Sequence, residues 1–433
     1  MSERPTIVSS SRLAAVFRRG VEVWARVPWN LRALFIRSFL TNFAFHMTSG
    51  LVPAFLRDAG LDIVRIGLFF SLTDATGFVA GLTGGFLADR FGRRRVVVAA
   101  TAANAVGMVL FIIAHSWLRL VMVAVLWGLG NLSRAAWSAM TADASHKGNR
   151  GSFYGLLYSA APAAGLIAPI IGGVVADRYG RASAVALSFP FFALAIWASL
   201  RLRESHPAPT HPAEASEAGA RNGDRPRISE LWNFLTRRGS AAAWAIMAMW
   251  LIAGVEMGLA HPLIALYLQD RFGADYTAIA LNAALGFAAT AAVTLAGGFL
   301  ADRVGRRVVI LVTQLLSAAL WVVQSLTGVM AVFFALRTLT SGVINLAVPA
   351  WEATMVEAAS PRLRASYTGL ATSGFSVGMA IGGAIAGFTY GLSHSLLFYA
   401  TAAMELAILV IAARWALPVR AAPSGREAAR MQR

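Results

Sequence analysis

The 433-residue sequence contains no cysteine and a single lysine, Lys147. Without cysteine there is no disulfide, no thiolate metal or iron–sulfur site and no cysteine nucleophile, and the redox compartment stays undetermined. The lone lysine sits in a Gly-Asn-Arg-rich loop. There is therefore no G-x-x-x-x-G-K phosphate cradle, which excludes a pump with its own nucleotide site, and no intramembrane lysine for a retinal Schiff base. Charge is scarce too, at 14% charged residues against 57% hydrophobic. Soluble domains carry about 25% charged residues, so this chain lacks the polar surface needed to face water. H-E-x-x-H and metal-ligand clusters are also missing, so no enzymatic chemistry, metal or cofactor is expected. What is present reads as a polytopic membrane protein.

A spanning helix needs about 20 mostly apolar residues. Twelve such stretches lie near 33–56, 66–88, 96–114, 119–141, 153–176, 183–200, 241–268, 277–300, 308–325, 330–352, 366–389 and 395–413. An even number places both tails on one side. Of the 38 Lys and Arg residues, 29 fall on the tail side, six on the other, and Arg37, Arg134 and Arg337 inside spans. By the positive-inside bias both tails are cytoplasmic. The net charge of +17 thus reports topology, and no nucleic-acid partner is expected. Residues 1–32 form a cytoplasmic tail without a cleavable signal. Its Leu13, Val16, Phe17, Val21 and Trp24 recur at helical spacing among arginines, as in an amphipathic helix on the inner leaflet. Residues 202–239 read as a Pro-rich cytoplasmic linker and 414–433 as a second tail, which leaves bundles at 33–201 and 240–413. Ile228, Leu231, Trp232 and Leu235 in the linker fit a short interfacial helix.

One segment occurs twice. Gly84–Arg94 (GGFLADRFGRR) returns as Gly297–Arg307 (GGFLADRVGRR), 213 residues later. Asn131, Trp137, Arg150 and Gly155 pair with Asn345, Trp351, Arg364 and Gly369, each 214 later. The chain is two homologous six-helix halves. A weaker third copy, Gly172–Arg181 (GGVVADRYGR), follows the first by 88 residues, and a faded fourth, Gly382–Gly387 (GGAIAG), follows the second by 85. Three spans separate the copies within a half, so they lie on opposite faces. This is the mark of inverted three-helix repeats nested in two parallel halves.

In these residues the sequence resembles the major facilitator superfamily, whose signature between helices 2 and 3 is roughly G-x-L-A-D-R-x-G-R-R. Ala168–Gly173 (APIIGG) is similar to the G-P-x-x-G-G signature of its drug:proton antiporter branches, with Ala168 in place of the first glycine. The resemblance implies an all-α fold of twelve membrane helices in two pseudo-symmetric bundles. It also implies a latch in which Asp89 meets the start of helix 11 and holds the cytoplasmic side closed. Candidate latch residues are Gly85, Asp89, Arg90, Gly92, Arg93, Asp143 and Arg150. Their second-half counterparts are Gly298, Asp302, Arg303, Gly305, Arg306, Glu357 and Arg364. For the arginines, binding of anionic lipid headgroups is the alternative. Pro169, Gly172 and Gly173 on helix 5, and Gly374, Gly378 and Gly382 on helix 11, are candidate packing residues that let backbones approach closely. The implied contact between halves uses these helices, and static packing is the alternative reading.

A charge at mid-bilayer costs about 2.5–3.5 kcal/mol on insertion scales, so each one invites a functional reading. Glu256 in span 7 is the leading candidate for proton coupling, with Arg337 at its depth, and a fixed Glu256–Arg337 structural pair is the alternative. Asp74 and the titratable His46 are further proton candidates. Glu405 ranks last because helix 12 is peripheral in the implied fold. Arg134, Asn131, Arg337 and Asn345 are candidate cavity residues that would suit an anionic or hydroxyl-rich solute. The expected function is secondary transport of a small solute, most simply proton-coupled efflux of lipophilic compounds. The alternatives are sugar, organic-acid or other metabolite transport and a non-transporting sensor or scaffold. Expected partners are a small-molecule substrate, protons and membrane lipids, around a monomer in a bacterial inner membrane.

Overall fold

The computed structural model describes residues 24, 27–144, 150–204, 228–236, 240–360 and 363–416. The described residues form helices without strands. In the first half, α1 runs Trp29–Ser49 and resumes as Val52–Asp58. α2 is Ile63–Phe91 and α3 is Arg93–Ile112. α4 comprises Trp117–Leu129 and Ser133–Ala144, joined by a tight turn at Gly130–Leu132. α5 comprises Arg150–Tyr158 and Ala160–Tyr179, and α6 comprises Arg181–Leu187 and Phe189–Leu200. The linker contributes a short helix, Ile228–Thr236. The second half repeats the plan. α7 is Ala241–Ala260 with Ile264–Phe272, α8 is Tyr276–Val304 and α9 is Arg306–Leu326. α10 is Met330–Glu357, α11 is Arg364–Leu392 and α12 is His394–Ile411.

Among the described residues, eleven spans are long and apolar enough to cross a membrane. The twelfth expected one, α1, misses that mark because Asn30, Arg32, Arg37, Asn42 and His46 dilute its apolar residues. It is nevertheless integral to its half, packing on α5 and α6 with Leu31, Leu34 and Met47 fully buried. Arg37 is satisfied inside that half, where its guanidinium donates to Thr101 Oγ1 at 3.0 and 3.2 Å and to Ser133 Oγ at 3.3 Å. The chain is thus an all-α, multi-pass membrane protein of two six-helix halves. The predicted N-tail helix before Trp24, Lys147, the linker over 205–227 and the tail beyond residue 416 lie outside the described residues.

The internal repeat is visible in the backbone. Asp62 and Asp275 cap α2 and α8 alike, each accepting from the amide three residues on, Arg65 at 2.9 Å and Ala278 at 2.7 Å. Both first helices break at matching places, after Ser49 in α1 and after Ala260 in α7. The D-R-x-G turns of the first three copies share one left-handed conformation, with φ of +93° at Gly92, +85° at Gly180 and +89° at Gly305. Only glycine adopts it without strain, which is why the motif ends its helix there.

Between halves, α2 packs on α11 and α5 packs on α8. Ser71 Oγ donates to the Ala380 carbonyl at 2.6 Å across the first of these contacts. Gly173 faces α8 across the second, where an added Cβ would meet Ala280 at 2.7 Å. The other predicted packing residues serve within halves. Gly172 abuts α1, Gly378 and Gly382 abut α7, Gly374 makes only a distant approach to Met247, and Pro169 is buried within α5. Gly172 is the tightest of these, since a Cβ would come within 1.8 Å of the Met47 carbonyl oxygen. Gly172→Ala is therefore expected to cost roughly 1–3 kcal/mol through overpacking. A lowered midpoint of thermal unfolding in detergent checks it, against Gly391→Ala, where nothing lies within 4 Å.

Candidate functional site: a central cavity beneath a clasped face

Where the two halves meet at mid-depth they enclose a cavity of about 350 Å³. Its walls come from α1, α2, α7, α8, α9, α10 and α11, so both halves contribute. Phe70, Phe287, Trp321, Phe375 and Met257 make it largely apolar, and Glu256, His261, Asn282, Arg337 and Asn345 supply its polar groups. The breaks in α1 and α7 turn backbone toward this space, with Ser49, Gly50, His261 and Pro262 on the wall. Irregular backbone at membrane depth is tolerated where it lines such a chamber.

Glu256 is 9% exposed, one turn before the end of the main segment of α7. Arg337 projects from α10 and lays its guanidinium over the Trp321 ring, 4.7 Å from the centroid. The two charges share the cavity, yet no N···O contact within 4 Å joins them among the described residues. Asn345 donates from Nδ2 to the Ser341 carbonyl at 2.8 Å. The buried Asn282 keeps an amide oxygen without a partner.

The remaining candidates are dispersed. His46 sits beside the cavity, its ring 4.5 Å from that of Phe287 and its Nε2 buried without a partner. Asp74 is half-buried on α2 away from the cavity wall. Arg134 and Asn131 lie on α4, exposed and off the wall, with the Asn131 amide against Gly77 of α2. The set Arg134, Asn131, Arg337 and Asn345 therefore does not form one pocket, because α4 turns those two side chains away from the chamber.

On the face away from the tails, the halves are clasped. Asp177, at the end of α5, accepts from the Tyr276 amide at 3.0 Å, the Thr277 amide at 2.8 Å and the Thr277 hydroxyl at 2.5 Å. It thereby satisfies the first free amides of α8, where the helix dipole favours an anion. Arg57 of α1 pairs with Asp270 of α7, donating from Nη2 at 3.0 Å, and the Tyr390 hydroxyl of α11 donates to the same carboxylate at 2.7 Å. The Tyr276 hydroxyl donates to Asp58. At the symmetry-related junction of α11 with the start of α2, Gly387 stands where Asp177 stands in the third copy. A Cβ there would lie 2.4 Å from the Ile63 carbonyl oxygen.

The tail face is different. Among the described residues, every hydrogen bond or ion pair crossing between halves lies at the far face or in the outer part of the α2–α11 contact. Asp89 and Asp302 are exposed, and no described residue bonds to them. The arginines pair inside their own halves, Arg93 with Asp143 and Arg306 with Glu357 at 2.6 Å. Arg90 and Arg303 point outward, and Gly85 and Gly298 meet nothing from the opposite half. Arg364 donates to the Ala359 carbonyl at 3.4 Å, and the Arg150 side chain lies outside the described residues. Glu204, which the sequence did not single out, caps α3 by accepting from the amides of Arg93 at 3.2 Å and Arg94 at 3.0 Å.

Three further groups were not singled out: Asp177, the Arg57–Asp270 pair, and Glu405 as a neighbour of Glu256. Asp177 had a signal, since it occupies the aspartate position of the third copy. Arg57 and Asp270 are 213 residues apart, the repeat offset, which marks equivalent corners of the two halves. Glu405 had none, because its partners come from two other helices, α9 and α7.

Comparison with known proteins agrees with this architecture. The sequence profile of the Major Facilitator Superfamily matches residues 34–261 and 249–432. The chain is similar to multidrug resistance protein MdtG of Enterobacter lignolyticus, 24% identical over 312 residues covering 70% of this chain and 72% of that one. It is likewise similar to MdtG of Proteus mirabilis, 24% identical over 330 residues, covering 74% and 79%. Among solved structures, a bacterial homolog to the human lysosomal transporter Spinster, inward-facing and occupied, superposes with a TM-score of 0.71 at 16% identity, covering 91% of this chain and 98% of that one. A peptide transporter POT in complex with sulfate gives 0.71 at 16% identity, covering 89% and 94%. With the doubled signature, the paired halves and a profile that spans both of them, this chain belongs to the major facilitator superfamily and is a secondary transporter.

Proposed function

We propose that the protein exports lipophilic compounds in exchange for protons by rocker-switch alternating access, without enzymatic chemistry of its own. It does so as a monomer in a bacterial inner membrane with both tails in the cytoplasm. The observation that carries this reading is an apolar, aromatic chamber holding one buried carboxylate, Glu256, with Arg337 near it but not paired to it. A fixed structural pair would close that gap with a direct salt bridge, since a buried charge left unpaired is costly. The gap leaves Glu256 available to a proton or to a cationic solute. Displacement of Arg134 and Asn131 from the chamber weighs against an anionic or sugar substrate. The multidrug names of the relatives agree with the lipophilic lining.

With the tails cytoplasmic, the conformation is inward-facing, because the clasp closes the far side. The counterpart contacts at Asp89 and Asp302 would close the near side in the opposite state, each carboxylate meeting a helix start as Asp177 meets α8. The arginines beside them hold their own halves together and can meet anionic headgroups. Adding lipophilic cations, sugars and organic acids in turn to unbuffered, detergent-solubilised protein tests the substrate class. Proton release is expected with the cations alone. Release with sugars or organic acids alone would overturn the efflux reading.

A further inference from the structure

α12 is an outer helix of its half, yet it carries a carboxylate that is 2% exposed, Glu405. Its surroundings are built for it. α12 lies against α7 and α9, and α9 presents two groups to this side chain. Gln314 Nε2 donates to one carboxyl oxygen at 2.5 Å and the Ser317 hydroxyl to the other at 2.5 Å. The Glu256 carboxyl, reaching from α7, stands within hydrogen-bonding range of Glu405. The chamber side of this group is closed by Trp321 and Arg337.

Two carboxylates cannot face each other at that range in an apolar interior while both are ionised, because their repulsion is barely screened there. A proton between them removes the conflict. The donors divide the roles: Glu405 accepts an amide N–H and a hydroxyl from α9, while Glu256 faces the chamber. The other charged and titratable groups facing this pair are Arg337 from α10, His261 beyond Arg337 on α7, and His46 of α1 beyond His261.

We propose that the coupling site is the Glu256–Glu405 pair, which holds one shared proton in the unloaded chamber and gives it up when one monovalent organic cation binds. The charges balance in both states. Two carboxylates, one proton and Arg337 sum to zero, and two carboxylates, one monovalent cation and Arg337 also sum to zero. The released proton passes to water in the chamber, and no further charge is buried. Glu405 acts as a positioning residue: it touches no solute and supplies the second carboxylate across which the proton is shared. Without it the shared proton has no second carboxylate to bridge. This inference rests on the reading that Glu256 is the coupling carboxylate.

The test uses the full-length protein in detergent with tetraphenylphosphonium as the probe cation. In the parent protein, affinity for it should weaken about tenfold for each pH unit lowered, the slope of one competing proton. Glu405→Gln should bind the cation with affinity independent of pH. If Glu256→Gln loses the slope but Glu405→Gln keeps it, the coupling role of Glu256 stands and the pair is overturned. If Glu256→Gln keeps the slope, or the parent binds no cation, the coupling reading itself fails. Infrared difference spectra give a second measurement should Glu405→Gln not fold. A protonated-carboxyl band should vanish on cation saturation, and Gln314→Leu, which removes a donor to Glu405 without touching the chamber, should shift it. A band that Gln314→Leu leaves in place would overturn the pair.

Discussion

Glu256→Gln is expected to abolish solute accumulation driven by a pH gradient in proteoliposomes, while exchange of labelled for unlabelled solute continues. Glutamine keeps the size and hydrogen-bonding capacity of the side chain but can neither take up nor release a proton. Each pH unit across the membrane is worth about 1.4 kcal/mol per proton. A coupled carrier therefore concentrates its solute roughly tenfold per unit, and an uncoupled one not at all. Continued exchange separates this outcome from a folding defect, because it requires an intact chamber and both of its gates. pH-driven accumulation equal to that of the parent protein would remove Glu256 from the mechanism. A cationic solute should also lose affinity in this variant, since the chamber would keep Arg337 and lose its facing carboxylate. Both effects come from one side chain because proton and solute compete for it.

The second large effect is expected at the far face. Asp177→Ala removes a carboxylate that accepts two backbone amides and a hydroxyl at the start of α8. Hydrogen bonds to charged groups contribute about 1.5–3 kcal/mol each when buried. Asp177 is exposed, so water replaces part of each bond. A net loss of ~1–2 kcal/mol, a roughly 5–30-fold shift in the balance of conformations, is the expected scale. The shift should favour the state open on the far side. Asp89→Ala should push the balance the opposite way, since no described residue bonds to Asp89 in the present state and the latch would engage it in the other. The absence of native cysteine makes both variants straightforward to label at introduced cysteines. Spin labels at Tyr179→Cys on α5 and Leu392→Cys on α11, both well exposed at the far face, should separate in Asp177→Ala. Unchanged label distances in Asp177→Ala would mean that the contact caps α8 without gating.

Much of the architecture is legible in the sequence because membrane helices advertise themselves locally. Apolar runs mark all twelve spans in the sequence, and among the described residues eleven of them are long and apolar enough to cross a membrane, α1 being the exception. The copies of G-G-x-x-A-D-R-x-G-R were more informative still. Each ends a helix at a glycine of positive φ, so the motif in the sequence corresponds to one backbone shape in space. Together with the faded fourth copy, Gly382–Gly387, they locate four junctions between halves. The sequence reading followed the two at the tail face, whereas in this conformation the two at the opposite face are made. A sequence is shared by all states of a transporter, so it cannot say which pair of junctions is closed.

The chamber was harder to read. Glu256 and Arg337 stand out because charge is rare in an apolar helix, and both reach the chamber. Arg134 and Asn131 stand out for the same reason but are rotated away, since a helix repeating every 3.6 residues presents a new face at each step and rarity of charge does not say which face meets the chamber. Arg37 was equally conspicuous and is satisfied by hydroxyls of α3 and α4. Glu405 was ranked last on the ground that α12 is peripheral. Its environment consists of Gln314 and Ser317 of α9 and Glu256 of α7, side chains that approach only after the bundle closes. Burial of a charge in lipid is a local signal, but the identity of its partner is a tertiary one.

Alternating access is tested most directly by following both faces of the same protein at once. Labels at Tyr179→Cys and Leu392→Cys report the far face, and labels at Phe91→Cys on α2 and Val304→Cys on α8 report the tail face. Double electron–electron resonance distances would be recorded across a pH series, with and without a lipophilic cation. The prediction is reciprocal change: wherever a longer far-face distance gains population, the tail-face distance shortens in the same proportion. Distances that stay fixed under all conditions, or faces that open together, would contradict it.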